Sequence, residues 1–145
     1  MESLTKEQIK EIAEQLNCGF RCFWHKTNRD FVFVPDTLRY PDIDIDAWND
    51  EMEKLDNNFN DYREIAQLGS SDSFEIMADF VGTLSDSNRL KVKLIDALNK
   101  KKPFLEFKFV IDNSGEFRQR WFDFKNLRIQ QWVKDRFVDI SSLEE

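Results

Sequence analysis

Five carboxylates in the first half of the chain are spaced like the ligands of a calcium-binding loop. They fall at positions 1, 3, 5, 9 and 12 of the twelve-residue template, and they are Asp42, Asp44, Asp46, Asp50 and Glu53. Calcium takes several hard oxygen ligands around one point, which such a spacing supplies. The sixth position, where glycine permits a sharp turn, is Ala47. The alternative is an acidic helix start, because carboxylates near a helix N-terminus interact favourably with the helix dipole.

A second chemical pattern lies near the C-terminus, where cations and aromatic rings share one helix face. At roughly 100° per residue, a helix predicted from Glu116 to about Phe137 places seven apolar side chains on one arc. They are Phe117, Trp121, Phe122, Phe124, Ile129, Trp132 and Val133. Four cations fall inside the same arc, and they are Arg118, Lys125, Arg128 and Arg136. A surface helix ordinarily separates its charges from its apolar stripe. These cations therefore need carboxylate partners, aromatic faces, an exit to water or an external anion.

This arc has two interpretations. In the plainer one, the cations pair with carboxylates from the acidic first half of the chain, because buried charges are usually paired within a fold. In the functional one, the arc forms a basic-aromatic groove that is open to a ligand. We then expect a non-enzymatic binding or regulatory module for a protein or an anionic ligand. Its expected contact residues are Arg118, Trp121, Lys125 and Arg128.

Nucleic-acid binding through the basic-aromatic C-terminal helix is an alternative function. Lys100–Lys102 could hold phosphates while Trp121 or Trp132 stacks on a base. The formal net charge of −7 argues against this function, since nonspecific nucleic-acid binders are usually basic. Nucleic acid is therefore an unfavoured partner that the sequence leaves open.

The segment from Asp42 to Asp61 supplies the opposite charge. It holds eight Asp and Glu residues against Lys54, so it could dock a basic protein partner and set the rate and orientation of association. The plainer interpretation is a solvated face that favours solubility. The asymmetry extends to the whole chain, because residues 1–90 hold 9 basic and 19 acidic residues, whereas residues 91–145 hold 12 and 9.

Sequence signatures of common enzyme sites are missing. There is no glycine-rich phosphate loop, zinc-protease motif or nucleophile elbow, and the chain has four glycines. His25 is the single histidine, and Cys22 would face the opposite side of the same predicted strand. A zinc cluster of Cys18, Cys22 and His25 is disfavoured, because an extended strand spreads its ligands apart. We expect no cofactor and lean against an enzyme, although a site assembled only in three dimensions stays open.

Length and composition predict one domain over residues 1–145. Hydrophobic residues make up 41% of the chain and include 14 phenylalanines, enough for one ordinary core. The longest apolar run is Phe31 to Val34, far below the roughly 20 residues of a membrane helix. The first dozen residues include five charged ones, unlike the apolar core of a secretory signal, and Cys18 and Cys22 suit a reducing compartment. We therefore expect a cytoplasmic protein that does not enter membranes.

The N-terminal half predicts a helix and a small sheet. Thr5 and Gln8 form a capping-box pattern before an apolar helix face. Residues 18–25 alternate like a half-buried strand, and turn residues then precede the run Phe31–Val34, as in an antiparallel hairpin. Asp61 to Leu68 predicts a third strand. The sheet is therefore small and led by the hairpin.

Helical spacing dominates the rest of the chain. Short helices are predicted around residues 48–55, 74–84 and 90–98, and Pro103 begins a further apolar segment before the long final helix. We predict an α+β fold in which the small antiparallel sheet packs against a mainly helical C-terminal half.

Several residue groups spread over most of the chain form a distinctive set. They are Cys18-Gly19-Phe20-Arg21-Cys22, Ser73-Phe74-Glu75-Ile76-Met77 with Phe80-Val81, Ala97-Leu98 to Lys102-Pro103-Phe104, Phe107-Lys108, and Arg118 with Trp121-Phe122-Phe124. As a set, these residues resemble the bacterial uncharacterised protein family 0158. The resemblance implies no activity, ligand or catalytic residue.

Overall fold

The structure, a computed structural model, describes residues 4–142 and the side chains of residues 4–139. This part of the chain contains three strands and six α-helices, which confirms the predicted α+β class. In chain order they are α1 (Lys6–Asn17), β1 (Phe20–His25), β2 (Phe31–Pro35), α2 (Asn49–Asn57), β3 (Tyr62–Ile65), α3 (Ser70–Gly82), α4 (Arg89–Leu98), α5 (Pro103–Asp112) and α6 (Phe117–Ser142). Short 3₁₀ turns at Ile45–Trp48 and Phe59–Asp61 flank α2.

The start of α1 is fixed by side-chain caps, as predicted. The Thr5 hydroxyl accepts a hydrogen bond from the Gln8 backbone N–H at 3.1 Å, and the Gln8 side chain accepts from the Thr5 N–H at 2.9 Å. Two backbone donors that the helix itself cannot satisfy are thereby satisfied. The chain then turns into β1 through Gly19, whose φ of 89° is accessible to glycine at little cost.

The three strands form one antiparallel sheet in the order β2-β1-β3. The predicted hairpin is confirmed, with Phe20 opposite Pro35 and Trp24 opposite Phe31. β3 is shorter than the predicted strand at residues 61–68. Beyond Ile65, hydrogen bonds from the Gln67 side chain take the place of backbone pairing with β1. The Gln67 amide donates to two backbone carbonyl oxygens, those of Leu16 and Phe20.

The chain divides into two compact units. The sheet unit comprises residues 4–67 and 129–142, and the helical unit comprises Leu68–Arg128. The single-domain expectation stays a prediction.

In the sheet unit, helices cover both faces of the sheet. The face bearing Cys22 and Trp24 is buried; α1 contacts β1, and the Trp24 ring meets the Phe137 ring at 5.1 Å. On the opposite face, Val32, Val34 and Tyr62 form a buried cluster that Met52 and Leu55 of α2 complete. This alternation follows from the period of two along a strand.

The helical unit is built around apolar side chains from α3, the loop that follows it, α4, α5 and the start of α6. The buried members of this core are Ile76, Met77, Phe80, Val81, Leu84, Leu94, Phe107, Ile111 and Trp121. The predicted helical stripes supply several of them, and the apolar segment predicted to begin at Pro103 is helix α5, with proline in its first turn.

Gly19 provides a test of this fold. A Cβ added at Gly19 would overlap the Tyr40 ring, and φ is in the left-handed region. We expect Gly19→Ala to lower the free energy of unfolding by at least about 1 kcal/mol in urea denaturation. The double variant Gly19→Ala/Tyr40→Ala should recover part of the loss, because it removes the overlap and keeps the backbone strain.

The matched control for Gly19 is Gly82→Ala. A Cβ at Gly82 meets nothing within 4 Å, so this change should be neutral or stabilise by about 0.4–1 kcal/mol. Equal stability of Gly19→Ala and the unmodified protein would contradict the assignment of a constrained turn.

Candidate functional site

Arg118, the first cation of the predicted arc, forms an ion pair with a carboxylate that is near it in the sequence of the helical unit. Its Nε lies 3.3 Å from Oδ1 of Asp112, and its guanidinium lies 4.6 Å from the centroid of the Phe122 ring. Asp112 also accepts a 2.7 Å hydrogen bond from Nζ of Lys108. The Lys108 bond, followed by the Arg118 bond, holds the pKa of the Asp112 carboxyl below its ordinary value.

Arg128 also has two partners within the helical unit. Its Nη1 donates to Oδ2 of Asp79 at 2.7 Å, and its guanidinium lies 5.7 Å from the centroid of the Phe124 ring. Lys125 extends over an aromatic ring, with Nζ 6.0 Å from the centroid of Trp121. Each predicted cation of this unit therefore meets a side chain of the same chain.

Arg136, the fourth cation of the arc, belongs to the sheet unit. Its guanidinium lies 4.4 Å from the centroid of the Trp132 ring, and its Nε is 3.6 Å from Oδ2 of Asp139. The Trp132 indole N–H donates to the carbonyl oxygen of Ala66 at 2.9 Å. Trp132 is thus fixed from both its face and its edge.

Trp121 is a core residue. Its side chain is 8% exposed, and its ring meets the rings of Phe80 at 5.3 Å and Phe107 at 4.9 Å. An indole enclosed in this way does not offer a free face for stacking. Of the predicted contact set, the structure brings Trp121 and Lys125 together and leaves Arg118 and Arg128 on separate carboxylates.

The carboxylate partners of the arc differ from the plainer expectation. That interpretation drew them from the acidic residues 1–90; of the carboxylates within 4.0 Å of the three arginines among residues 4–139, Asp79 comes from there. Asp112 and Asp139 lie six and three residues from the arginines that they meet. Pairing is mainly local because neighbouring turns of helix already bring opposite charges within reach.

The five carboxylates of the calcium-loop pattern lie on a turn and a helix. Asp44 precedes the first 3₁₀ turn, and its side chain accepts a hydrogen bond from the backbone N–H of Asp46 at 3.1 Å. Asp50 lies in the first turn of α2, as an acidic helix start predicts. Within the described residues, no three Asp, Glu, His or Cys side chains form a group that could hold a metal ion.

A cleft of about 580 Å³ lies beside β2 in the sheet unit. Four partly buried aromatic rings line it, and they are Phe20, Phe31, Phe33 and Trp48. The Phe20 and Trp48 rings meet at 5.7 Å between centroids. This cleft was not predicted from the sequence. Its signal was the run Phe31–Val34, where apolar residues at successive positions place apolar side chains on both faces of one strand.

Two of the four polar residues of this cleft are acidic, and one is basic. Asp50 and Glu51 project from the first turn of α2, and Gln15 and Lys54 complete the lining. Among residues 4–139, neither Asp50 nor Glu51 forms an ion pair within 4.0 Å. Aromatic faces beside unpaired carboxylates attract a cation through both its charge and the ring quadrupoles.

Cys22 and His25 perform structural tasks. Burial of Cys22, which is 0% exposed, raises the pKa of its thiol and disfavours the thiolate. The Nδ1 of His25 accepts hydrogen bonds from the backbone N–H groups of Thr27 and Asn28, at 3.2 and 3.0 Å. Both cysteines are free thiols, and Cys18 is exposed.

A family model described as Uncharacterised protein family (UPF0158) matches residues 2–142 of the chain. The chain belongs to this family. The match confirms the resemblance that the short motifs indicated, and the description assigns no activity to UPF0158.

A curated UPF0158 protein of Pseudomonas aeruginosa is similar to this UPF0158 chain, with 28% identity over 99 residues. The aligned region covers 68% of this chain and 60% of the relative, so the chain spans less than two thirds of that protein's length. No solved structure gives a significant match. Within residues 4–142, no helix is both long enough and apolar enough to cross a membrane.

The two thiols of this UPF0158 chain should differ in reactivity. With a water-soluble maleimide at neutral pH, we expect one fast modification in the native protein and two in urea, counted by intact mass. Cys18→Ser should abolish the fast modification, whereas Cys22→Ser should leave it unchanged. Native labelling of Cys22 at the rate of Cys18 would contradict the burial described above.

The pairing of Asp112 with Lys108 and Arg118 predicts how stability depends on pH. Because pairing lowers the folded-state pKa of Asp112, its stabilising effect is complete above the ordinary carboxyl pKa and is lost as pH falls through the lowered value. In a carboxyl NMR titration, Lys108→Ala should raise the pKa of Asp112. Arg120→Ala should leave it unchanged, since Arg120 lies over the Phe117 ring. An unaltered pKa in Lys108→Ala would contradict the pairing.

Proposed function

We propose that this chain is a non-enzymatic module that binds a basic segment of a protein partner in the cytoplasm, through the sheet unit. The observation that carries the proposal is the cleft beside β2, where four aromatic rings adjoin the carboxylates of Asp50 and Glu51, which form no ion pair with residues 4–139. A lysine or arginine side chain can stack on the rings while it meets the carboxylates.

The charge distribution supports the same partner. The helical unit Leu68–Arg128 holds eleven Lys and Arg residues against nine Asp and Glu residues, a net charge of +2. The remainder of the chain therefore carries a net charge of −9, and the two parts sum to the total of −7. Such a field attracts a basic surface, accelerates its encounter and disfavours acidic partners.

An anionic ligand or a nucleic acid on α6 stays a prediction with less support. A ligand phosphate would have to replace Asp112 at Arg118 and Asp79 at Arg128, and Trp121 lies in the core. Both ion pairs are partly exposed and so contribute little to stability, but they compete with any external anion.

The proposed function is tested with two labelled peptides that are identical except that each lysine in one is glutamate in the other. In fluorescence anisotropy, we expect the basic peptide to bind with a strong salt dependence and the acidic peptide not to bind. The double variant Asp50→Asn/Glu51→Gln should weaken binding at least about tenfold.

The control for this measurement is Glu75→Gln/Glu116→Gln, which removes the same charge from exposed positions of the helical unit. It should reduce affinity much less than the cleft variant. Equal binding of both peptides, or equal effects of both double variants, would refute the proposed function.

A further inference from the structure

The free edge of β2 gives the cleft a specific mode of recognition. We infer that the basic segment enters as an added β-strand beside β2, with alternate side chains apolar and basic. This inference rests on the proposed function and adds how the partner is held and what sequence pattern it carries. Addition of a strand to an exposed sheet edge uses backbone hydrogen bonds for affinity and side-chain pockets for specificity.

The direction of the backbone groups of β2 follows from the neighbouring hydrogen bonds. His25 N–H donates to the carbonyl of Asp30 at 2.8 Å, so odd-numbered residues of β1 bond towards β2. Lys26 N–H donates to the carbonyl of Asp61 at 2.9 Å, so even-numbered residues bond towards β3. In this antiparallel register Phe31, opposite Trp24, directs its N–H and C=O away from β1.

The same geometry applies to Phe33, which lies opposite Cys22. β2 is an edge strand, so within the described chain the outward groups of Phe31 and Phe33 have no neighbouring strand. Val32 and Val34 instead bond inward to β1. The edge therefore offers two donors and two acceptors, spaced as an incoming strand requires.

The cleft extends around this edge onto both faces. Its lining includes Phe31, Val32 and Phe33, which are consecutive and therefore point to alternate faces. Phe20 lies on the face of Phe31 and Phe33, because it pairs with Pro35 in the same register. Asp50 projects from α2, the helix that packs on the Val32 face.

An added strand would thus point one set of side chains at phenylalanine rings and the other set at carboxylates. The first set is apolar and the second is basic, which is a period-two pattern in the partner. Because two edge residues supply few backbone bonds, both sets of side chains contribute to affinity.

Charge excludes a second copy of this chain as the preferred occupant. Pairing of two β2 edges would bring together two copies of the sheet unit, whose residues 4–67 and 129–142 hold 10 basic and 16 acidic residues, a net charge of −6 that includes Asp50 and Glu51. Like charges in close contact oppose association. The occupant that complements this edge is a basic segment of another protein.

The test compares how four peptides with the same valine and lysine content bind to the unmodified protein. The first alternates valine and lysine, and the second groups the same residues in blocks. The other two repeat the alternating sequence with N-methyl groups on every second backbone nitrogen, at the valines in one frame and at the lysines in the other. We expect the alternating peptide to bind at least about tenfold more tightly than the blocked peptide, and one N-methyl frame to lose about tenfold while the other loses little.

Amide hydrogen exchange in the protein gives a second readout that needs no variant. Binding of the alternating peptide should slow exchange at Phe31 and Phe33 at least about tenfold and leave Val32 and Val34 unchanged, since those amides already bond to β1. Uniform or absent protection along β2 would overturn strand addition.

The outcomes separate the two proposals. If the alternating and blocked peptides bind equally and neither N-methyl frame matters, the basic-partner function stands and strand addition is overturned. If no basic peptide binds, the proposed function itself fails. If sedimentation instead detects a dimer in which Phe31 and Phe33 are protected without peptide, a second copy occupies the edge and the inference is overturned.

Discussion

The central position of β1 is the constraint on which the sheet unit depends. Its odd residues bond to β2 and its even residues bond to β3, so one strand fixes the register of both neighbours. A slip by one residue would move Cys22 and Trp24 from the buried face to the opposite one. The register that buries them also turns the backbone of Phe31 and Phe33 outward. The core and the exposed edge are consequences of the same pairing.

The cations of α6 illustrate how charges are accommodated beside an apolar surface. Each of the three arginines of the arc lies over an aromatic ring and near a carboxylate: Arg118, Arg128 and Arg136. Surface ion pairs of this kind contribute about 0–1 kcal/mol each. The long stems contribute as well, because they cover ring area while the charged ends reach water. The arc is thus a means of shielding rings from solvent.

Local signals in the sequence predicted most of the fold. The capping box at Thr5 and Gln8, the alternation in β1 and the turn before β2 each depend on neighbours within a few residues, and all three are present. The end of β3 was not predicted, because Gln67 bonds to residues far away in sequence.

The candidate sites were less predictable, for a related reason. Helical spacing placed Trp121 correctly on an apolar arc, but spacing cannot distinguish a core ring from an exposed one. The cleft beside β2 combines residues from α1, the hairpin and α2, and only tertiary packing brings Phe20 near Trp48. The acidic helix start at Asp50 could be predicted because it depends on one turn of backbone.

Pro35, the last residue of β2, limits what the edge can accept. It has no N–H to donate, so the row of outward donors stops at Phe33. A long edge with free donors is a template for open-ended stacking of chains into fibrils. Because Pro35 ends the row of donors, a strand added at this edge can pair with β2 over only a short length, and short edge strands are one way in which proteins disfavour edge-to-edge stacking.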